Sequence, residues 1–520
     1  MKLIQNILES GGITHDPEWK KQFQSFILIS LIFHLLTAYF SYGFGRPDEH
    51  FQILEFLNYK LKGYNNSGLL AHEYAEELRS WLQPALYYAI VKSLIFSGTE
   101  NPFIWAFFIR LISSLIGWLS LILFGLCFYT WFPNARLRSW ALFLLTYLWW
   151  IPYLHARTSS ENLSTSFFYL ALASIALACT FQKKEPGNNS LEIPTQVLIV
   201  SGLLCGLAFE FRYQVGFMVA GIGLWLLFIK RISLLRFSVF GVSVLIPIIF
   251  EFLIDGWGYG KLSFPPWNYF SYNLFEGKSA DYGESPWWHY FYSISLDAFP
   301  PLSIILVLTT LIAWVRYPKH ILTWSTIFFF IVHCMVGHKE DRFLYPMTYA
   351  AVAFAFLSIP ESWMEKGIVD RFLKKKGGRL FINVTIGLNM ALLVIMTFIP
   401  TRTEVMIQKY LYYHNPELIE IYSIKGNPYI FRGDGDNFEF YSPKKVIFHK
   451  VSNLDSLKKI LDRESAPILY LHHSNLLDKE SMFLEENCQT LHRSFPEWVN
   501  RVNINNWLSR TPAFLLLKCG

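Results

Sequence analysis

Long apolar runs recur along most of this 520-residue chain, and they constrain its fold more than any other feature. A run of roughly 20 apolar residues is long enough to cross a bilayer as a helix. Such runs lie near residues 24–43, 103–131, 138–154, 163–181, 195–210, 213–229, 236–254, 299–315, 321–336, 344–360 and 380–399. The pattern predicts an all-α polytopic membrane protein with about eleven transmembrane helices.

The composition agrees with a bilayer as the surrounding solvent. Only 16% of the residues are charged, whereas a soluble protein carries roughly 25%. The net charge of +6 forms no basic stripe in a soluble domain, which argues against a nucleic-acid-binding protein. The six cysteines include no Cys-x-x-Cys pair, so no zinc or redox site is predicted, and no cofactor is expected.

Basic residues cluster in alternate loops, and this asymmetry predicts the orientation in the membrane. Short loops rich in Lys and Arg are typical of the cytoplasmic side, as in the run 374–376 before the last span. The alternate loops are longer and rich in His, Asp, Glu and Trp, and they are predicted to lie outside. With this alternation the stretch 84–97 is interpreted as an interfacial helix rather than a span.

The chain divides into three predicted parts. Residues 1–23 form a cytoplasmic N-terminus, and 24–399 form a membrane domain with large outer loops at 44–102 and 255–298. In 400–520, strand-like KVIFHKV and APILYLHH flank helix-like LDSLKKILDR, and AFLLLKC closes the chain. These patterns predict a small α/β domain on the outer side.

Two adjacent carboxylates, Asp48 and Glu49, follow the first span in the sequence GRPDEHFQ. A carboxylate at the edge of a span meets a lowered dielectric, which can raise its pKa towards neutrality and suits a general base. The same residues also suit a helix start, because Pro47 fits the first turn and acids favour a helix N-terminus. The two interpretations are compatible and both stay open.

A second polar cluster, GHKEDRF, separates two apolar spans and holds His338, Lys339 and Arg342. Cations in this position suit a phosphate, since Arg offers a planar fork and Lys a point charge. Arg157, in HARTSSEN at another predicted outer helix end, is a further candidate cation. The alternative for GHKEDRF is a solvated turn between helices, and the alternative for Arg157 is an interface anchor.

Other predicted outer segments carry residues that suit a sugar. Arg212 follows a span in EFRYQ, and the long loop contains Tyr282, Trp287, Trp288 and His289. Aromatic faces pack against sugar rings, and they also lie at membrane interfaces. Acids, cations and aromatic residues on one side of the membrane are what an enzyme using a lipid-phosphate sugar donor requires. The rival is a transporter or flippase for a lipid-linked sugar, which predicts charges deep in spans and repeated halves.

The motifs PDEHFQ and HKEDRFLYP, in this order, resemble those of family 22 glycosyltransferases, the mannosyltransferases of GPI-anchor and lipid-linked oligosaccharide assembly. The resemblance covers most of residues 40–360 and is greatest to the members that add the third GPI mannose. The matching positions are Pro47, Asp48, Glu49, Arg79, Ser80, Pro84, Arg157, Thr158, Tyr282, Gly283, Pro286, Trp287, His338, Lys339, Glu340, Arg342 and Phe343. The family's Trp-Glu pair in the first loop has no obvious counterpart, and the Asn expected near Arg157 stands at Asn162.

The resemblance implies a C-type glycosyltransferase fold and a function. It implies transfer of mannose from a polyprenyl- or dolichyl-phosphate carrier to a lipid-linked glycan, with inversion and with Asp48 as general base. Glu49 is the lesser candidate for that base. Arg79 joins Arg212 and the long-loop residues as sugar- or acceptor-binding candidates. The membrane would be the endoplasmic reticulum in a eukaryote and the inner membrane in a bacterium.

Overall fold

The computed structural model describes residues 16–63, 70–180, 193–414, 419–424, 427–430, 438–441, 446–463, 467–473, 484, 486–495 and 513–520. Within these ranges the side chains of Leu274, Ser279, Tyr282 and Asp297 are outside the description. The chain is mostly helical with one small sheet near its C-terminus, which confirms the predicted fold class at that level. It forms two compact units, one of residues up to Ala38, Glu76–Ala85 and Arg110–Thr397, the other of Tyr39–Ala75, Leu86–Ile109 and Phe398–Gly520.

The helices and strands follow in chain order. The α-helices are α1 Pro17–Phe40, α2 Pro47–Glu49, α3 Glu55–Lys62, α4 His72–Ala75, α5 Leu82–Phe96, α6 Pro102–Trp131, α7 Ala135–Tyr147, α8 Trp150–His155, α9 Ser160–Thr180, α10 Thr195–Phe211, α11 Gly216–Leu224, α12 Leu234–Tyr259, α13 Pro265–Phe270, α14 His289–Ser293, α15 Leu302–Arg316, α16 Ile321–Met335, α17 Thr348–Leu357, α18 Glu361–Glu365, α19 Ile368–Lys374, α20 Lys376–Phe398, α21 Thr403–His414 and α22 Leu454–Arg463. The π-helical turns are His50–Leu54, Trp225–Ile229, Ser271–Phe275 and Ile294–Ala298, and the 3₁₀ turns are Tyr213–Val215, Lys278–Tyr282 and Asp341–Met347. The strands are β1 Ile419–Ser423, β2 Val446–Lys450, β3 Ile468–His473, β4 Cys488–Arg493 and β5 Phe514–Cys519.

Several helices are long and apolar enough to cross a membrane, so the chain is a multi-pass membrane protein. Within the described residues five helices meet that standard: Pro17–Phe40, Pro102–Trp131, Ser160–Thr180, Leu234–Tyr259 and Lys376–His414. The pair α15 and α16, bent by 117°, makes a sixth if it is counted as one span. Leu82–Phe96, Thr195–Phe211 and Tyr213–Ile229 are shorter apolar helices. The predicted count of about eleven stays a prediction.

The predicted span 138–154 is not one helix, because it breaks between α7 and α8. The side chain of Asn389 on α20 fills the break. Its Oδ1 accepts a hydrogen bond from the backbone N–H of Trp149 at 3.2 Å, and its Nδ2 donates to the carbonyl of Tyr147 at 2.8 Å. Backbone groups released by a helix break need such partners in an apolar environment. A side chain distant in the sequence therefore stabilises the break.

Helices α10 and α12 pack closely because two glycines four residues apart face the contact. A Cβ added at Gly202 would lie 2.5 Å from the Cβ of Ser243, and one at Gly206 would lie 2.3 Å from the carbonyl oxygen of Val244. Small residues at this spacing let membrane helices approach to backbone contact. The close packing fixes the ends of both helices, which carry Arg212 and Asp255.

The second unit contains the five-stranded sheet, in the order β2-β1-β3-β5-β4. β1 pairs in parallel with β2 and β3, and β5 pairs antiparallel with β3 and β4. The three patterns assigned in the tail sequence form the predicted elements, namely β2, α22 and β3, and AFLLLKC contains β5. One face of the sheet packs on Ile407 and Leu411 of α21, and the other on Leu457 of α22. Cys488 and Cys519, which are paired across β4 and β5, form a disulfide that the sequence interpretation missed.

Candidate active site

The first-loop motif forms a helix start, as one of its two interpretations predicted. Arg46 is the N-cap of α2 and Pro47 occupies the first turn. The carboxylate of Glu49 folds back on this turn, where Oε1 accepts hydrogen bonds from the backbone N–H groups of Gly45 at 3.1 Å and Arg46 at 3.2 Å. Glu49 is buried, whereas Asp48 is only half-buried. The two acids, adjacent in sequence, therefore occupy different environments.

The turn that carries Asp48 is anchored within the second unit. α2 continues directly into the π-helical turn His50–Leu54, a form that often occurs at functional sites. The Nε2 of buried His50 lies 2.7 Å from Oε1 of Glu55. The same carboxylate oxygen accepts a hydrogen bond from the backbone N–H of Phe440 at 2.8 Å. These two contacts of Glu55 hold the π-helical turn in place.

In the first unit, two arginines from distant positions meet at one carboxylate. Oε1 of Glu161 lies 3.3 Å from Nη2 of Arg212 and 3.9 Å from Nη1 of Arg342. The carboxylate of Glu340 accepts hydrogen bonds from Nε and Nη2 of Arg342, at 2.8 Å each. Nε2 of His338 lies 3.3 Å from Oε1 of Glu340. Glu161, Arg212 and Arg342 are all buried, so this is a packed charge cluster rather than a solvated turn.

The cluster retains a donor group that no described residue satisfies. Among the described residues, the buried Nε of Arg212 has no hydrogen-bond acceptor. A buried donor without a partner costs about 1–3 kcal/mol. Such a group points to a ligand that supplies the acceptor. The sequence interpretation assigned Arg212 to the sugar or acceptor, and the contacts place it beside Arg342.

Lys339 does not join the arginine cluster in this structure. Its Nζ donates to the backbone carbonyls of Ser285, at 3.0 Å, and of Val336. The backbone N–H of Ser285 in turn donates to the carbonyl of Gly337 at 2.9 Å, so the long loop is tied to the GHKEDRF segment. Burial lowers the pKa of Lys339 below the usual value for lysine.

Arg157 is buried in a separate position near the end of α8. Its guanidinium lies over the ring of Tyr153, with 5.0 Å between the guanidinium carbon and the ring centroid. Nδ2 of Asn162 donates at 2.7 Å to the carbonyls of both His155 and Arg157 and so fixes the turn between α8 and α9. Asn162, noted in the sequence as a displaced family residue, therefore holds the backbone of this turn.

A buried chain of two histidines and a tyrosine supports the same turn, and the sequence interpretation gave it no role. Nδ1 of His34 donates to the carbonyl of Ser30 at 2.6 Å, so Nε2 of His34 is left to accept from Nδ1 of His155 at 2.8 Å. Nε2 of His155 then accepts from the hydroxyl of Tyr349 at 2.8 Å. Three helices far apart in the sequence are joined by this chain, which a motif search does not detect.

Arg79 lies in a segment fixed against the end of α12. The hydroxyl of Tyr259 donates to the carbonyl of Arg79 at 2.7 Å, and Ser80 donates to Oε1 of Glu251 at 2.8 Å. The backbone N–H of Trp81 donates to Oδ1 of Asp255 at 2.8 Å. These acids near a helix end were not assigned a role from the sequence, and their partners identify them as anchors for this segment.

The long loop is brought to the cluster only in part. Trp287 is 66% exposed and Trp288 is 50% exposed. His289 begins α14 and is half-buried. The side chain of Tyr282 lies outside the described residues. Exposed tryptophans at this position fit the membrane-interface alternative.

Two cavities flank the segment 341–348. The first, here called the apolar groove, encloses about 680 Å³ and is lined mainly by hydrophobic side chains, including Tyr290, Leu306, Trp314, Leu344 and Met347. The second, here called the His333 cavity, encloses about 580 Å³. It is lined by Gln214, Phe217, Tyr269, Phe270, Asn273, Val332, His333, Val336, His338 and Phe343.

The 3₁₀ turn Asp341–Met347 explains why its residues divide between the two cavities. Three residues per turn place Leu344 and Met347 on one side, and both line the apolar groove. Phe343 points elsewhere and lines the His333 cavity. Arg342 directly precedes Phe343 in the sequence and belongs to the arginine cluster. Among the described residues, no group of three His, Cys, Asp or Glu side chains could hold a metal ion.

Comparison with known proteins matches these observations. A family model for the Alg9-like mannosyltransferase family matches residues 25–421. GPI mannosyltransferase 3 of Candida albicans is 27% identical over 330 residues, which are 61% of this chain and 60% of that protein. GPI alpha-1,2-mannosyltransferase 3 of Homo sapiens is 23% identical over 374 residues, which are 70% of this chain and 62% of that protein. The chain thus spans about 60% of the length of these relatives.

A solved structure extends the likeness to the fold. The crystal structure of ArnT from Cupriavidus metallidurans bound to undecaprenyl phosphate aligns with a TM-score of 0.52 at 10% identity, covering 94% of this chain and 97% of that one. At this identity the match shows a common fold, that of the C-type membrane glycosyltransferases. With the family match extending over most of its length, the chain belongs to the Alg9-like mannosyltransferase family.

Proposed function

We propose that this protein transfers mannose from a polyprenyl-phosphate carrier, dolichyl phosphate in a eukaryote, to a hydroxyl of a lipid-linked glycan. The observation that carries the proposal is the meeting of Arg212 and Arg342 at Glu161, with Arg342 on the same 3₁₀ turn as two residues that line an apolar groove. Family membership and the names of the relatives agree with it.

The arginine cluster suits the phosphate of the donor. Guanidinium groups bind phosphate through paired N–H donors, and burial strengthens such charge-assisted hydrogen bonds. Glu161 and Glu340 hold the two forks in place before a ligand arrives, which lowers the entropy lost on binding. The Nε of Arg212 supplies a donor that no described residue accepts. His338 and Arg157 are retained as weaker phosphate candidates, and Lys339 would need to leave its two carbonyl partners.

The apolar groove suits the prenyl tail of the same donor. Leu344 and Met347 line it, and Arg342 stands at the start of the same 3₁₀ turn. A carrier with its phosphate on Arg342 would therefore have hydrocarbon-lined space for its first isoprene units. ArnT, which shares the fold, was crystallised with undecaprenyl phosphate, a lipid of the same chemical class.

Asp48 is proposed as the general base. Glu49 is occupied by two backbone N–H groups and serves as the cap of the turn, which favours the half-buried Asp48 for chemistry. In a single displacement the acceptor hydroxyl oxygen bonds to the anomeric carbon, the bond from that carbon to the phosphate oxygen breaks, and Asp48 takes the proton. The carrier phosphate leaves with the electron pair, and the anomeric centre is inverted.

The acceptor and the orientation follow from weaker observations. The relatives are named as GPI mannosyltransferases, so we propose a GPI-precursor-like glycolipid as acceptor. The disulfide between Cys488 and Cys519 favours an oxidising compartment for the tail, because structural disulfides are rare in the cytosol. The endoplasmic reticulum lumen or the periplasm would provide it, with residues 1–23 on the cytoplasmic side.

The test is mannose transfer by the full-length protein purified in detergent. It would be given polyprenyl-phosphate mannose and a panel of mannose-terminated glycolipids, and the release of polyprenyl phosphate would be measured together with the glycan product. Transfer dependent on Arg342 is the expected result. A protein that moves the carrier across vesicles but forms no glycosidic bond would be a flippase, and the proposal would be wrong.

A further inference from the structure

The His333 cavity lies beside the arginine cluster but contains none of its cations. It contains about 580 Å³ of empty space, part of which is open to solvent. Half of its lining residues carry an amide, imidazole or phenol group: Gln214, Tyr269, Asn273, His333 and His338. Phe217, Phe270 and Phe343 add apolar ring surface. The cavity therefore suits a neutral ligand with both polar and apolar faces.

His333 is a buried side chain with an unused acceptor in this cavity. Its Nδ1 lies 2.7 Å from the backbone carbonyl of Phe329, and because a carbonyl can only accept, Nδ1 carries the hydrogen. Nε2 is then an acceptor. His333 is only 4% exposed, and among the described residues Nε2 has no hydrogen-bond partner. A ligand in the cavity would have to supply a donor to satisfy this atom.

The two amide groups of the cavity each donate one hydrogen bond to Tyr269. Nε2 of Gln214 donates to the hydroxyl of Tyr269 at 2.7 Å, and Nδ2 of Asn273 donates to the carbonyl of Tyr269 at 2.8 Å. One N–H of each amide thus serves the protein, and a primary amide also carries a second N–H and a carbonyl oxygen. A ligand bearing hydroxyl groups would match this lining, because each hydroxyl can both donate and accept. A phosphate without bound protons, which only accepts, could not satisfy Nε2 of His333.

Aromatic rings connect the cavity to the candidate site. The guanidinium carbons of Arg212 and Arg342 lie 5.2 Å and 5.4 Å from the centroid of Phe343, whose ring lines the cavity. The guanidinium carbon of Arg79 lies 5.6 Å from the ring centroid of Tyr269. A group attached to a phosphate on the arginines could therefore reach the cavity. The apolar groove on the other side of the 3₁₀ turn leaves the tail a separate place.

We infer that the His333 cavity binds the hexose ring of the donor, with Nε2 of His333 accepting a hydrogen bond from a ring hydroxyl. The inference rests on the proposed function and adds to it a sugar-binding residue outside the GHKEDRF and PDEHFQ motifs. Aromatic faces pack against the C–H faces of the ring, and the acceptors orient its hydroxyls. A sugar of the acceptor glycan offers the same chemistry, and the experiment separates the two sources.

Two substitutions test the two ring nitrogens of His333 separately. In His333→Asn the amide nitrogen can still donate to the Phe329 carbonyl, as Nδ1 does, but the acceptor at the Nε2 position is lost. In His333→Gln the amide oxygen reaches about as far as Nε2, and the short-range bond to Phe329 is weakened. A structural role through Phe329 therefore predicts that Asn is the better tolerated, whereas a sugar-binding role predicts that Gln is.

The experiment measures binding of two probes, dolichyl-phosphate mannose and dolichyl phosphate, to the purified full-length wild type and both variants. We expect His333→Asn to weaken binding of the mannosylated carrier by about tenfold, the scale of one buried hydrogen bond, and to leave the bare carrier unchanged. His333→Gln should recover most of the loss. Turnover is measured in parallel at varied concentrations of a mannose-terminated glycolipid, to obtain the KM for the acceptor.

Three results would overturn the inference. Equal weakening of both carriers by His333→Asn, or no change in either, would mean that the cavity does not hold the donor sugar. An increased KM for the acceptor with unchanged donor binding would assign the cavity to the acceptor glycan. If the wild type bound neither carrier, the proposed function itself would fail, and the inference with it.

Discussion

The turn at Asp48 and the cluster at Arg342 immobilise charged groups in opposite ways. At the turn, backbone N–H groups hold the carboxylate of Glu49 and leave its neighbour Asp48 half-buried. In the cluster, the carboxylates of Glu161 and Glu340 hold guanidinium groups that are themselves buried. In both regions one charged residue supports the structure, and its neighbour is the one proposed to act on a substrate. The comparison separates residues that look equivalent in the sequence.

The largest expected effect comes from Asp48→Asn. It preserves the shape of the side chain and removes its basicity, so turnover should fall by about 10²–10⁴-fold, the scale of general base catalysis. Binding of the donor and the unfolding temperature should stay near the wild-type values, since the side chain is half-buried and the helix start is kept. Turnover and donor affinity measured in one detergent would check this.

Glu49→Gln is the matched control on the adjacent residue. The amide oxygen can still accept from the backbone of Gly45 and Arg46, so a mild loss of turnover is expected. Should Glu49→Gln abolish turnover while Asp48→Asn retains it, the roles assigned to the two acids would be reversed. Activity in both variants would mean that the turn is a helix start only.

A smaller effect is expected from Arg342→Ala, acting on binding rather than on chemistry. Losing the charge-assisted hydrogen bonds should weaken donor binding by about 1.5–3 kcal/mol. Arg342→Lys should restore only part of the lost donor binding. The point charge of lysine cannot reproduce the paired hydrogen bonds that the guanidinium now forms with Glu340. Unchanged donor affinity in Arg342→Ala would mean that the GHKEDRF segment is a structural ion cluster and does not bind the donor. A thermal unfolding control would detect damage from the carboxylates left unpaired.

The smallest effect concerns Lys339, the cation that the structure keeps apart from the cluster. Burial lowers its pKa, so its charge is present below that lowered value and is lost as the pH rises through it. If Lys339 assists the donor phosphate, donor binding should decline on the alkaline side at a lower pH than an ordinary lysine, near 10.4, would give. In Lys339→Arg the decline should disappear, because guanidinium keeps its proton. If donor binding by the wild type did not change with alkaline pH, the role of Lys339 would be only to hold the Ser285 loop.

Apolar runs and short motifs determined much of this protein from the sequence alone. Run length and sparse charge were sufficient for a multi-pass helical fold, because a bilayer requires long uncharged helices whatever their order. The alternation in the tail was sufficient for β2, α22 and β3, since strand and helix periods differ over a few residues. The motifs around Asp48 and Arg342 were sufficient for the family, because they preserve chemistry in a local pattern.

Only the tertiary structure decided which of these residues support the fold and which of them meet. Glu161 joins Arg212 and Arg342, and His333 faces a cavity built from three separated segments. The break at Trp149 depends on Asn389, which is 240 positions away. Such contacts cannot be predicted from local patterns, because they depend on how helices pack rather than on their periodicity. The sequence therefore indicates which side chains can do the chemistry, and packing determines which of them are placed to do it.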